Sequence, residues 1–266
     1  HRFVCAYRTH GLAKLLGDEY AYDIFRQCVR FCIDHEQNRI SRDRPESPIR
    51  TLMPKLLDQY HLEGKSFGDR DPGDEWVDET SLAIYNGPPE RSADIAAAAI
   101  AEGVDPEVLG EAISLASNLL TLRQGSDKWR THGDAAGVHA ADATNAWRNM
   151  VRVAETRHAI PGLIIAAYHS ARHTPFENDP YPLEEHRDKV RTTNLAELIN
   201  ETEDAIRHND QGRASAAVAL YGEQGYPLGP VMDSLLRFTV SEDGRLHGEK
   251  FFHTDSQEYR TIRPAF

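Results

Sequence analysis

The stretch PEVLGEAISLASNLLTL, residues 106–122, decides the fold class. Its apolar residues recur every three or four positions and form one continuous stripe, which is the spacing of a buried helix face. Asp105 can cap this helix, Pro106 suits its first position, and Glu107 places a carboxylate in its first turn. Residues 106–122 are therefore predicted to be a central helix of the core.

Helical patterns continue on both sides of this stretch. The sequence predicts helices at about 18–37, 92–102, 134–153, 161–173, 195–208, 213–221 and 231–240. Ser92, Asp134 and Asn194 are candidate caps, and Pro161 is taken to open its helix. The chain becomes less regular from Ser241 onward. Together these patterns predict an all-α fold, a bundle of antiparallel helical hairpins in a single domain over residues 1–266.

Two features qualify this simple bundle. The segment 43–88 is rich in Pro, Gly, Asp and Glu, and is predicted to be mostly ordered loop with short helical pieces. It contains GKSFG, residues 64–68, but this polar setting is not the strand-to-helix turn of a serine nucleophile. Residues 22–36 and 230–244 each combine an apolar helix, an Arg-Phe pair and acidic residues. That resemblance has two alternative explanations, an internal duplication or the chance similarity of amphipathic helices.

Composition narrows the classes of function. The 266 residues are 40% hydrophobic and 27% charged, as in a water-soluble globular protein. The net charge of -12 disfavours nucleic acid as a partner, and no apolar run approaches the roughly 18 residues of a membrane span. Three cysteines form no disulfide framework, so Cys28 and Cys32 are predicted core residues and a reducing, cytoplasmic compartment is slightly favoured.

Candidate chemistry centres on HGDAAGVHAADATNAWRN, residues 132–149. On a helix, His139 and Asp142 stand three positions apart among alanines, and a carboxylate beside an imidazole fixes its tautomer and raises its basicity. His139 is therefore a candidate general base tuned by Asp142. His132 lies just before the helix and can fold back toward it. The same residues can instead form an interior hydrogen-bond network between helices.

A metal site is the second candidate. His169 and His173 stand four positions apart, so both imidazoles can reach one ion on a helix surface. With His132, His139 and His247 they make a candidate ligand set for iron, zinc, manganese, copper or haem. A surface histidine pair near a helix end is the plainer explanation of His169 and His173.

Missing motifs exclude several familiar enzymes. The sequence has no GxGxxG, no GxxxxGK[ST] and no HExxH. It therefore does not support a dinucleotide-binding Rossmann fold, a P-loop nucleotide-binding protein or a zincin metalloprotease. Ferritin-type di-iron bundles need two ExxH motifs, and only Glu155 to His158 provides one.

Several strings resemble known families. HGDAAGVHAADATNAWRNM, LHGEKFF and TIRPAF look like those of a bacterial all-helical family with no established activity, which implies a helical fold. EGVDPEVLGEAISLAS, residues 102–117, with NAWRNM, is similar to the helical hairpin of carboxymuconolactone decarboxylase and AhpD-like proteins, although the redox CxxC of AhpD is absent. A looser likeness to questin-oxidase-like helical proteins implies oxidation of an organic substrate.

The sequence thus leads to two hypotheses. In the first, the protein is an oxidoreductase or lyase whose small organic substrate enters a pocket between helices, lined by His132, His139, Asp142 and His169, with or without a metal ion or haem. In the second, it is a non-enzymatic binding or scaffold protein with structural histidines. Neither involves nucleic acid or membrane, and a homo-oligomer is compatible with both.

Overall fold

The computed structural model describes residues 2–124, 136–173, 175–240 and 245–266. Helices account for 72% of these residues. The described part contains no β-strand, only an isolated bridge between Arg70 and Val104. The prediction of an all-α fold is confirmed, whereas the pairing into antiparallel hairpins and the internal duplication stay predictions.

The described residues form thirteen α-helices and one short 3₁₀ turn, Asp18–Tyr20. In chain order the helices are α1 (Arg2–Leu16), α2 (Ala21–Ser41), α3 (Ile49–Gln59), α4 (Asp74–Asn86), α5 (Pro89–Ala101), α6 (Pro106–Leu122), α7 (Ala136–Val151), α8 (Thr156–Ser170), α9 (Glu184–Arg187), α10 (Leu195–Arg207), α11 (Gln211–Glu223), α12 (Leu228–Thr239) and α13 (Arg245–Glu258).

Several helix boundaries follow their sequence signals. The central helix α6 has the predicted bounds, and the Asp105 side chain accepts a hydrogen bond from the Glu107 backbone N–H at 2.7 Å. At the start of α10, the Asn194 side chain accepts hydrogen bonds from the backbone N–H groups of Ala196 and Glu197. The predicted caps at these two helices are confirmed. Asp134, another predicted cap, lies outside the described residues.

Other boundaries were predicted wrongly. α5 begins at Pro89, and Ser92 is fully buried inside it, with its hydroxyl bonded to the Pro88 carbonyl at 3.2 Å. α8 begins at Thr156, so Pro161 lies within the helix rather than at its start. A proline there removes one backbone hydrogen bond, which the buried apolar side chains of α8 offset. The final stretch also contains α13, whose weak amphipathic pattern gave no clear signal.

The segment 43–88 is more helical than predicted, since α3 and α4 both lie within it. The predicted loop is correct for GKSFG, which follows α3. Gly68 there approaches Gly103 so closely that a Cβ would lie 2.1 Å from the Gly103 carbonyl oxygen. Backbone hydrogen bonds then join Arg70 to Gly103 and to Asp105. Gly68 is therefore needed for the close contact between the two backbone segments. Ser66 is exposed in the loop.

Contacts divide the chain into two compact units, which are described separately. Unit 1 comprises His1–Ser117, His139–Thr174 and Arg263–Phe266, and unit 2 comprises Asn118–Val138 and Pro175–Ile262. The prediction of a single domain over residues 1–266 is not tested by this division and stays a prediction.

In unit 1, α5 packs against α8, and α3 and α4 contact both. The buried face of α5 is rich in alanine, including Ala93, Ala96 and Ala97, while α8 contributes Leu163 and Ile164. Because alanine side chains are short, these helices can approach closely and exclude water from the larger residues of the partner helix. The core of unit 1 lies at this contact.

Helix α2 packs against α1 but buries little of its own surface. Cys28 is its only buried residue, whereas Tyr22, Phe25, Val29 and Ile33 are all exposed. Of the two cysteines predicted to be core residues, Cys28 is buried and Cys32 is only partly buried, because apolar spacing gives the face of a helix and not what covers it. The homo-oligomer prediction is untested.

In unit 2, α10 and α11 form the closest pair, and α9, α12 and α13 pack on them or on each other. The core cluster is Val190, Leu198, Ala216, Ala217, Tyr221 and Val231. Polar contacts at its edge join the helices, since Arg213 of α11 bonds Asp204 of α10 at 2.7 Å and Ser234 of α12 bonds Glu203 of α10 at 2.8 Å.

No helix of the described residues has both the length and the apolar character needed to cross a bilayer.

Candidate functional site

Unit 1 contains a cavity of about 350 Å³ that brings together three of the predicted histidines. We call it the histidine cavity. It is lined by His139, Ala140, Ala143, Thr144, Trp147, Ala166, His169, Arg172 and His173. Helix α7 supplies the first five, and α8 with the turn after it supplies the rest. Of the residues predicted to line a pocket between helices, His139 and His169 line this cavity, and His173 of the predicted metal set lines it as well.

Helix periodicity explains why these residues meet. His139, Ala143 and Trp147 recur every four positions along one face of α7. Ala140 and Ala143 leave space where longer side chains would fill it, so the polar groups border a cavity rather than a packed core. Trp147 closes one side, and its ring stacks on Phe3 of α1 with centroids 3.2 Å apart.

Burial keeps two of the imidazoles uncharged. Desolvation, followed by the positive charge of Arg172, lowers the pKa of His169 to about 4. The same two causes lower the pKa of His173. A neutral imidazole retains a lone pair that can accept a hydrogen bond or a proton, although the lowered pKa makes each ring a weaker base than a free imidazole.

Among the described residues, Arg172 adds the one permanent positive charge of the cavity lining. Its side chain is exposed, and no carboxylate of the described residues forms an ion pair with it. A guanidinium in this position can bind a carboxylate through two parallel hydrogen bonds. Sequence reasoning did not single out Arg172, although its position three residues after His169 places it beside that imidazole.

A buried cluster of hydroxyls borders the cavity at Thr144. The Ser117 hydroxyl lies 2.7 Å from the Thr144 hydroxyl and 2.7 Å from that of Ser170, and Thr144 and Ser170 are 3.0 Å apart. The three residues come from α6, α7 and α8 and are at most 5% exposed. This hydroxyl triangle joins three helices, and no sequence pattern predicts it because its members are far apart in the chain.

Asp142 forms an ion pair between two helices. Its carboxylate is 4% exposed and accepts a hydrogen bond from the Arg8 guanidinium at 3.2 Å, and Asp142 is not a lining residue of the histidine cavity. Its observed role is to join α7 to α1. Asp142 as the partner that tunes His139 stays a prediction.

Arg148 joins α7 to α6. Its guanidinium lies 3.4 Å from Glu107 of α6, and Arg152 bonds the same carboxylate at 2.6 Å. These two arginines hold the start of α6 against the end of α7.

The proposed metal set is not assembled by the described residues. No three His, Cys, Asp or Glu side chains among them come together in a way that could hold a metal ion. His132 lies outside the described residues. His247 is on α13 in unit 2 and is not among the residues that line the histidine cavity.

Comparison with known proteins adds no assignment. No protein-family model, no curated protein and no solved structure matches the chain.

Proposed function

We propose that the histidine cavity is the active site of a lyase-type enzyme that moves a proton on a small organic acid. The single observation that carries this proposal is the shared lining of one cavity by His139, His169, His173 and Arg172. A volume of about 350 Å³ is at the lower end of small-molecule pockets, which suits a compact substrate.

The chemistry follows from the two kinds of polar group. Arg172 would bind the carboxylate of the substrate and fix its orientation. A neutral imidazole of the lining, with His169 tested first because it is unprotonated at neutral pH, would take a proton from the carbon next to the carbonyl or carboxylate. The low pKa of His169 also makes it a weak base, so the step depends on Arg172 withdrawing charge from the bound acid. The electron pair left on that carbon can then form a double bond as a group leaves, while the protonated imidazole returns its proton to the leaving group or solvent.

An oxidoreductase is the second form of the enzyme proposal. It would need an electron acceptor and a metal ion (iron, zinc, manganese or copper) or haem, with ligands beyond His139, His169 and His173, because these three side chains do not come together in a way that could hold a metal ion. Elemental analysis and an absorption spectrum of the purified protein test this form. A stoichiometric metal or a Soret band would favour it over the metal-free lyase.

A non-enzymatic binding or scaffold protein is the rival class. It is supported by the hydroxyl triangle and by the Arg8–Asp142 contact, in which interior polar groups join helices. Under this proposal the histidines of the cavity would have the same structural role.

Solvent deuterium exchange tests the lyase proposal without knowledge of the leaving group. The protein is incubated in D₂O with a panel of small 2-oxo and 3-oxo acids, and deuterium entering a carbon position is measured by mass spectrometry. We expect wild-type protein to accelerate exchange in a subset of the acids, and His169→Gln to lose that acceleration. Arg172→Met should raise the acid concentration needed for half-maximal exchange.

His158→Gln is the matched control, because His158 is an exposed histidine on the same helix and does not line the cavity. It should exchange at the wild-type rate. Equal exchange in wild type, His169→Gln and His158→Gln, or no exchange with any acid, would reject the lyase proposal. Retained folding in each variant is checked by circular dichroism.

A further inference from the structure

Unit 2 contains a larger cavity of about 700 Å³, independent of the proposed enzyme chemistry. Helices α10, α12 and α13 line it. Most of its wall is apolar, and three phenylalanines stand out, Phe238 on α12 and Phe251 and Phe252 on α13. We call it the aromatic cavity.

One carboxylate belongs to the same lining. Asp255 follows Phe251 by four positions and Phe252 by three, so one face of α13 presents both rings and the carboxylate. Among the described residues, the Asp255 carboxyl has no hydrogen-bond or ion-pair partner. A carboxylate that borders an apolar cavity without a partner attracts a positive charge.

The protonation of Asp255 reflects this setting. Although the residue is open to solvent through the cavity, loss of hydration, followed by the negative charge of Glu258, raises its pKa to about 7. A bound cation would offset both causes and favour the ionised form.

Among the residues that the structure describes, the other charged groups around the cavity do not supply that cation. Arg207 of α10 is the only basic residue of the described lining, and its guanidinium is held by Glu203 at 2.8 Å. Helix α12 contributes no charged residue to the lining. Arg207 also lies over the Phe238 ring at 5.6 Å, so one aromatic face of the cavity already carries a cation.

We propose that the aromatic cavity is a binding site for a small organic cation, an alkyl- or arylammonium whose charge pairs with Asp255 and whose apolar part lies among the phenylalanines. Aromatic side chains attract ammonium groups through the negative potential of the ring face, and quaternary ammonium ligands are recognised in this way. The volume suits a ligand of this size. A cation satisfies the unpaired carboxylate and the aromatic wall together, which an anion or a neutral hydrocarbon does not.

Titration calorimetry on the full chain with a matched pair of probes tests the proposal. Benzyltrimethylammonium and its neutral isostere neopentylbenzene have nearly the same shape and differ in charge. We expect the cation to bind at least tenfold more tightly than the isostere. Asp255→Asn should weaken binding of the cation by about tenfold or more. Phe252→Leu should lower the affinity for the cation more than the affinity for the isostere.

Asp233→Asn is the matched control. Asp233 is exposed on α12 and does not line the cavity, and its substitution changes the net charge by the same amount. Its affinity for the cation should equal that of wild type. A similar loss in both variants would mean that the cation responds only to overall charge, and this would overturn the proposal.

The pH dependence separates two uses of Asp255. The probe carries a permanent charge, so its affinity should fall about tenfold from about pH 8 to about pH 6 as Asp255 is protonated. The Asp255→Asn variant should lose this dependence. Affinity that rises on acidification, equal affinity for the two probes, or stronger binding of phenylacetate than of the cation would each reject a cation site.

Discussion

Arg263 contacts Glu111 twice across 152 positions of sequence, through its backbone N–H at 2.6 Å and its side-chain Nε at 2.8 Å. Glu111 is on α6 and its side chain is 5% exposed. The same guanidinium bonds Asp74 of α4 at 2.8 Å. The segment 263–266 is thereby joined to two helices of unit 1.

Loss of the Arg263 guanidinium should be costly, because it leaves the Glu111 carboxylate buried with less compensation. We expect Arg263→Met to lower the free energy of unfolding by roughly 3 kcal/mol in urea denaturation. Adding Glu111→Gln in the same chain should restore part of that loss, since an amide is cheaper to bury than a charge. The exposed Arg260 gives a control, and Arg260→Met should stay within about 0.5 kcal/mol of wild type. Similar losses in both arginine variants would contradict the assigned role of the Glu111 contact.

Asp142 should behave as a structural residue. We expect Asp142→Ala to lower the free energy of unfolding by about 2 kcal/mol, because it removes the acceptor of Arg8 and leaves a void. Asp179→Ala, at an exposed position, should have little effect in the same thermal or urea unfolding measurement. If Asp142→Asn instead kept its stability and changed the rate of solvent deuterium exchange, the tuning of His139 by Asp142 would be supported.

The hydroxyl triangle should show coupling between its members. Ser117→Ala and Ser170→Ala should each cost about 1 kcal/mol of unfolding free energy, because each leaves two buried hydroxyls with one partner fewer. The double variant should differ from the sum of the single variants by about 0.5 kcal/mol or more. Strict additivity in this double-mutant cycle would mean that the three hydroxyls do not act together.

His169 should make stability depend on pH. Its pKa in the folded protein is lowered to about 4 from the ordinary 6.5, so between these values the unfolded chain binds more protons than the folded one. The contribution of neutral His169 is therefore fully present above about pH 6.5 and is lost as the pH falls toward about 4, with a slope of roughly 1 kcal/mol per pH unit at most. Asp255 changes the stability in the opposite direction, because its pKa in the folded protein is raised from 3.8 to about 7. Its contribution is fully present below about pH 3.8 and is lost as the pH rises through about 7.

Comparison of variants isolates the histidine. The unfolding free energies of wild type and His169→Gln are measured between about pH 7 and pH 4. We expect the difference between them to be smaller at the acidic end than at neutral pH. The exposed His158 again provides the control, and His158→Gln should follow the wild-type curve. A constant difference between wild type and His169→Gln at every pH would show that His169 does not titrate as an interior group.

The sequence predicted the parts of the fold that depend on local signals. α6 and α10 have their own caps and apolar stripes, and both were located within one residue of their ends. It failed where tertiary contact decides. Ser92 looks like a cap but is buried inside α5, and the apolar residues of α2 remain largely exposed.

The candidate site was predictable to a similar extent. Helical spacing placed His139, His169 and His173 on faces that border one cavity, but it could not show that Asp142 contacts Arg8 of α1. The hydroxyl triangle and the aromatic cavity combine residues from three helices each, and no local pattern joins such residues. Sequence periodicity gives a face for each helix, whereas the partner of that face is a property of the fold.

Unit 1 is built from three separate segments of the chain, and this affects the order in which its contacts can form during synthesis. Its last segment, Arg263–Phe266, is translated after all of unit 2, so unit 1 lacks a contact of its buried Glu111 until the ribosome has passed residue 262. Neither unit corresponds to one uninterrupted stretch of gene. Fragments that divide the chain at a single point therefore remove residues from at least one unit, and genetic dissection of the two sites requires point substitutions in the intact protein.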